Sequence, residues 1–239
     1  MDWEVRITGS QVVLGHLVDV LKDREPSLVR DGDTFVLRAK EFQTLADGGS
    51  VQARAKEIVE ALSTLARLGL QSVESLEVGN VTRVREDGRR DYFLNAESGH
   101  LRITGGLTSM VVKRADGTVQ EHKPADAIPA WLSKALLDPT LLRALRLRDS
   151  DALAWPDLYR LFEVIEAGLG GESGLVARGS ATRDTVRRFC HSANSVAAAG
   201  DQARHGVERT EPPARPMTIS EARSFVDGLL RHWLGENGI

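Results

Sequence analysis

The pattern of apolar residues changes once along this chain, near Lys123-Pro124, and that change limits the folds open to it. Before it, short stretches alternate apolar with polar residues, the period of a half-buried strand; after it, apolar residues recur only at helical spacing. Trp3, Val5 and Ile7 alternate with Glu4 and Arg6, which predicts a strand. Ser10 then stands where it would cap a helix carrying Leu14, Leu17, Val18 and Leu21 on one face. Two β-prone runs between Ser27 and Ala39 flank Asp31-Gly32, the chemistry of a tight hairpin. Over residues 50–68, Val51, Ala55, Ile58, Val59, Leu62, Leu65 and Ala66 share a face, predicting a helix that Gly69 stops. From Val73 to His122 the spacing predicts short strands at Val81–Arg85, Tyr92–Leu94, Met110–Lys113 and Thr118–Glu121. Asp87-Gly88 and Asp116-Gly117 are their expected turns, giving an antiparallel meander.

Beyond Pro124, Leu132, Leu136 and Leu137 and then Leu141, Leu142 and Leu145 mark helices. Pro156 suits the first turn of a helix carrying Leu158, Leu161, Phe162 and Ile165. Gly168, Gly170, Gly171 and Gly174 predict a loop, and Thr182 to Ser195 a further helix. Thr218 with Glu221 reads as a capping box ahead of an apolar stripe of Ala222, Phe225, Val226, Leu229, Leu230 and Trp233. Strands with interspersed helices, then hairpins, then helices make an α+β fold. Its parts are 1–122, mixed strand and helix, and 123–239, all helical, either as two domains or as halves of one core.

Composition narrows the function classes. The net charge of −3 argues against a protein that coats nucleic acid, and a single cysteine, Cys190, leaves no disulfide framework or Cys-rich zinc site. Neither a basic leader nor a long apolar run is present, so a cytoplasmic protein that does not cross a membrane is expected. No GxGxxG or GxxxxGK[ST] run supports a nucleotide-binding fold, and no cofactor is expected. The one electrostatic asymmetry is local. From Val176 to Arg215, Arg178, Arg183, Arg187, Arg188, Arg204, Arg209 and Arg215 face only Asp184, Asp201, Glu208 and Glu211.

Within that stretch, a wheel at about 100° per residue puts Val186, Phe189, Cys190 and Ala193 on an apolar face. Arg183, Arg187, His191 and Asn194 form a polar stripe at its edge, while Arg188 points elsewhere. Asp201, Arg204 and His205 follow on a glycine-bounded loop. If the loop folds back, these side chains surround one cavity. Arginine forks match phosphate oxygens, and histidine exchanges protons near neutral pH. The leading expectation is therefore binding of a phosphate-bearing small molecule or RNA through Arg183, Arg187, Asn194, Asp201 and Arg204. His191 and His205 are the candidate catalytic pair for metal-independent, ribonuclease-like hydrolysis. The competing expectation is a non-catalytic interaction or structural protein, a homodimer through the Ala222 to Trp233 helix among its forms. On that reading the arginines are a solvated face or structural ion pairs, Asp201 orders a turn and His205 bonds to backbone. No metal is expected, because His191, Asp201 and His205 match no zinc spacing. Cys190, Trp131, Trp155 and Trp233 read as core.

The run RFCHSAN, followed by GDQARHG and PPARPM, resembles an uncharacterised bacterial protein family to which no activity attaches. The pairing of Arg with a following His is also similar to that of the helical HEPN ribonucleases, which implies a dimeric active site. The family's Arg and His stand further apart than Arg187 and His191 and closer together than Arg183 and His191 do here.

Overall fold

A computed structural model describes residues 2–85, 90–93, 110–113, 119–122, 124–150, 152–205, 207 and 212–235. The expected turns at Asp87-Gly88 and Asp116-Gly117 lie outside them, as do Glu208, Arg209 and Glu211. The chain forms two compact units, Met1–Leu136 and Leu137–Ile239. The fold is α+β, with the strands in the first unit and helices throughout the second.

In the first unit, β1 (Asp2–Thr8), β2 (Ser27–Asp31), β3 (Thr34–Arg38), β4 (Glu77–Val84) and β5 (Arg90–Phe93) make an antiparallel sheet in the order β2-β3-β1-β4-β5. One rung shows why these sequences pair: Leu28, Leu37, Val5, Val81 and Phe93 lie side by side across all the strands. All but the edge residue Phe93 are buried. Because side chains alternate between faces, a one-residue slip would turn this rung to the opposite side. Helices α1 (Gln11–Leu21) and α2 (Gly48–Leu70) pack on the sheet through their apolar stripes. The remaining described strands, β6 (Met110–Lys113) and β7 (Val119–His122), pair only with each other, so the expected meander divides after β5. Helix α3 (Ile128–Leu137) buries Trp131.

Several boundaries differ from expectation for identifiable reasons. Ser10 occupies the cap position of α1 without a side-chain capping bond. Helix α2 begins earlier, at Asp47, whose carboxylate accepts from the Ser50 amide at 2.7 Å. It also runs through Gly69 to bury Leu70, and Gln71 takes the left-handed conformation instead, at φ 52°. Glu4 is not a solvated partner in the alternation. It is 8% exposed and held by Arg38 at 2.6 Å and Arg90 at 3.5 Å.

The second unit comprises α4 (Pro139–Arg148), α5 (Trp155–Leu169), α6 (Gly171–Ala177), α7 (Arg183–Asn194), α8 (Val196–Ala199) and α9 (Ile219–Leu234). The expected glycine loop is instead a one-residue joint. Gly170, at φ 93°, ends α5, while Gly171 and Gly174 belong to α6. Gly168 lies inside α5 because the indole of Trp233, 6% exposed, covers it; an added Cβ would meet that ring inside van der Waals contact. Gly to Ala within a helix ordinarily gains about 1 kcal/mol, but overpacking costs about 1–3 kcal/mol. Gly168→Ala is therefore expected to destabilise the second unit, read as lower amide-exchange protection in α5 and α9. Raised protection would show that the ring shifts freely.

Candidate functional site

Helix α7 is oriented by its own amphipathicity. Thr182 caps it, accepting from the Thr185 amide at 3.1 Å. Val186, Phe189 and Ala193 are buried as the wheel requires, with Ser192 beside them. Phe189 is ringed by Phe162 at 5.0 Å, Phe225 at 5.4 Å, Tyr159 at 6.1 Å and Trp155 at 6.2 Å. This anchor fixes the rotation of the helix, leaving Arg183 and Arg187 exposed and His191 half-buried at the edge.

Two concavities meet along that edge. A groove of about 850 Å³ is lined by Asp184, Arg187, Arg188, His191 and the segment Pro212–Arg215. A depression of about 510 Å³ is lined by Glu172, Arg183, Asp184, Val186, Arg187, Cys190 and His191. Asp184, Arg187 and His191 form the ridge common to both. Among the described residues, no hydrogen bond or ion pair holds the side chains of Arg183, Arg187 or Arg215. Arg188, by contrast, pairs with Glu221 at 3.0 Å. The Thr218 amide, followed by that guanidinium, holds the Glu221 carboxyl below the usual carboxylate range.

The loop does fold back, onto the Asn194 end of the stripe and not into the two concavities. The Arg204 amide donates to the Ala193 carbonyl at 2.9 Å. The Arg204 guanidinium stacks over Tyr159, 4.2 Å from its ring centre, and reaches Glu163 at 3.2 Å. Asn194 donates to the Cys190 carbonyl at 2.8 Å. Asp201 is exposed and His205 half-buried, and neither they nor Arg204 nor Asn194 line the two concavities. Of the expected set, the structure thus brings together Arg183, Arg187 and His191.

Burial pushes the Cys190 thiol up to about 11, with Glu166 and Glu172 adding to the shift, so at neutral pH it is a protonated thiol and a poor nucleophile. Burial likewise raises the Glu166 carboxyl, and Glu172 and Glu163 contribute. No group of three His, Cys, Asp or Glu side chains among the described residues could hold a metal ion. None of the described helices is long and apolar enough to cross a membrane.

The groove's second wall, Pro212–Arg215, was not among the residues expected from sequence. Proline favours extended backbone, but nothing local indicates which helix this segment lies against. A further hollow of about 390 Å³ in the first unit includes Asp2, Glu4, Glu25, Arg38, Lys40 and Gln43. There Glu4 bonds to Arg38, Asp2 to Gln43, and Glu25 to the Lys40 amide. Its carboxylates are already engaged, whereas Arg183 and Arg187 have no partner among the described residues. Comparison with protein-family models, curated proteins and solved structures gives no match to this chain.

Proposed function

We propose that this protein binds a phosphate-bearing ligand along α7, through Arg183 and Arg187 with His191 beside them. The observation that carries the reading is a contrast within one short stretch. Arg188 and Arg204 are engaged by Glu221 and Glu163, whereas Arg183 and Arg187 lie exposed on the rim of two concavities, without a partner among the described residues. Guanidinium groups displayed on a rigid helix and not paired with any carboxylate among the described residues, although Asp184 shares their ridge, suit bidentate contact with phosphate oxygens. Hydrolysis draws no support from the arrangement. The expected catalytic pair is not brought together there, since His205 lines neither concavity that His191 lines. A homodimer through α9 also lacks support, since Ala222, Val226, Leu229, Leu230 and Trp233 are buried within their own unit.

Single-stranded RNA and pyrophosphate are the probes, titrated at low salt by calorimetry. Arg183→Ala with Arg187→Ala is expected to weaken binding by about tenfold for each arginine removed, with an unchanged circular dichroism spectrum. For a single strand held by two phosphate contacts, log K should fall with log salt at a slope of about −1.4, and the double variant should lose that slope. Wild-type protein without affinity for RNA, DNA or nucleotides at low salt would overturn the reading.

A further inference from the structure

The groove on the proline side of α7 has two walls of different chemistry. One carries Asp184, Arg187 and His191; the other is Pro212, Pro213 and Ala214, ending at Arg215. The second wall is fixed at its C-terminal end. Arg188 donates from Nε to the Arg215 carbonyl at 2.7 Å and from Nη2 to the Pro216 carbonyl at 3.2 Å. The Met217 amide donates to Ser192 Oγ at 2.8 Å, and that hydroxyl donates to the Arg188 carbonyl at 2.7 Å. Met217 itself is 4% exposed. A wall fixed at that end requires little ordering when a ligand arrives. Proline residues also have no amide hydrogen, so Pro212 and Pro213 offer ring carbons and no backbone donor.

Size and charge then select the occupant. The volume of about 850 Å³ falls within the range of small-molecule sites, roughly 300–1,000 Å³, and far exceeds what a phosphate ion fills. Three apolar residues, Pro212, Pro213 and Ala214, across the groove from Arg187 offer a planar ring a face while its phosphate meets the guanidinium. Building on the phosphate-binding reading above, we infer that the ligand is a nucleoside phosphate, its phosphate at Arg187 and its base laid against Pro212, Pro213 and Ala214. Arg183, one turn earlier on α7, extends the cationic rim, and Arg215 stands at the far end of the wall. The nucleotide comes either free or as an unpaired unit of RNA. A duplex keeps its base faces stacked inside the helix and is excluded.

The test titrates the full chain with AMP, UMP, ribose 5-phosphate, a single-stranded RNA octamer and the same octamer in duplex form. AMP or the single strand is expected to bind about tenfold more tightly than ribose 5-phosphate, equivalent to about 1.4 kcal/mol from the base. Whichever of the two binds more tightly identifies the source. Pro212→Ser with Pro213→Ser should remove that advantage and leave ribose 5-phosphate affinity unchanged. Equal affinity for AMP, the octamer and ribose 5-phosphate overturns the nucleoside assignment while leaving phosphate binding intact, as does tighter binding of the duplex. Absence of binding by all five overturns both.

Discussion

Phe189→Ala is expected to lower the stability of the second unit by about 3–5 kcal/mol, the range for emptying a buried aromatic site. Phe189 is fully buried, and rings from α5 and α9 surround it: Trp155, Tyr159, Phe162 and Phe225. Those rings sit on helix backbones that cannot all move inward, so much of the vacated volume stays empty. The same change loosens the rotation of α7, whose outward face carries Arg183, Arg187 and His191. Because the chain has two units, a single global midpoint would mix their transitions. Amide exchange resolved by segment avoids this. Protection in α5, α7 and α9 should fall by about a hundredfold or more, with the β1 to β5 sheet unaffected. Phe189→Leu, which refills most of the site, should cost about 1.5 kcal/mol or less. A fall in protection of less than tenfold for the alanine variant would show that the ring cluster collapses around the gap.

What could be read from the sequence was whatever one element decides alone. The buried face of α7 follows from residues three and four apart, and the Thr218 to Glu221 capping box from residues three apart. Val5 and Ile7 declared their strand because alternation is local. Glu4 did not declare its burial. Its partners are Arg38 and Arg90, on different strands, and only the strand order β3-β1-β4-β5 brings those guanidiniums to one carboxylate. Gly69 and Gly168 were misleading for a related reason. Glycine permits a helix to end but does not require it, and burial of Leu70 and the approach of Trp233 decided those two positions. The candidate site divides in the same way. Arg183, Arg187 and His191 are neighbours on one helix, so spacing found them. The destination of Arg204 depends on Tyr159 and Glu163, the latter 41 residues away, and the proline wall depends on Arg188 reaching 27 and 28 residues along the chain. Three of the arginines from Arg183 to Arg204 therefore look alike in composition and differ entirely in employment: Arg188 holds a wall, Arg204 pins a loop, and Arg187 has no partner among the described residues.

Asp227→Ala is expected to destabilise the second unit by about 3 kcal/mol, a large effect for one surface-proximal carboxylate. Exposed ion pairs contribute about 0–1 kcal/mol, but Arg148 and Asp227 are mostly out of water, with side chains 12% and 22% exposed. The contact is bidentate: Arg148 Nε donates to one carboxylate oxygen and Nη2 to the other at 2.9 Å, joining the end of α4 to the middle of α9. Its third nitrogen, Nη1, donates to the Ser150 carbonyl at 3.0 Å. Nearby, Arg223 donates twice to the Leu153 carbonyl, so the connection between α4 and α5 is tied to α9 by two guanidiniums. Removing Asp227 alone takes the bidentate carboxylate from the Arg148 charge where water reaches it poorly, which is the costly way to break such a pair. Replacing both, Arg148→Met with Asp227→Leu, strands nothing and should recover most of the loss. Arg148→Lys keeps the charge but not the fork, and should fall between the wild type and Asp227→Ala. The difference between Asp227→Ala and wild type should change little between low and high salt, since a largely buried pair is weakly screened. If the loss is below about 1 kcal/mol, or disappears at high salt, the pair is behaving as a solvated one and contributes little to holding α9.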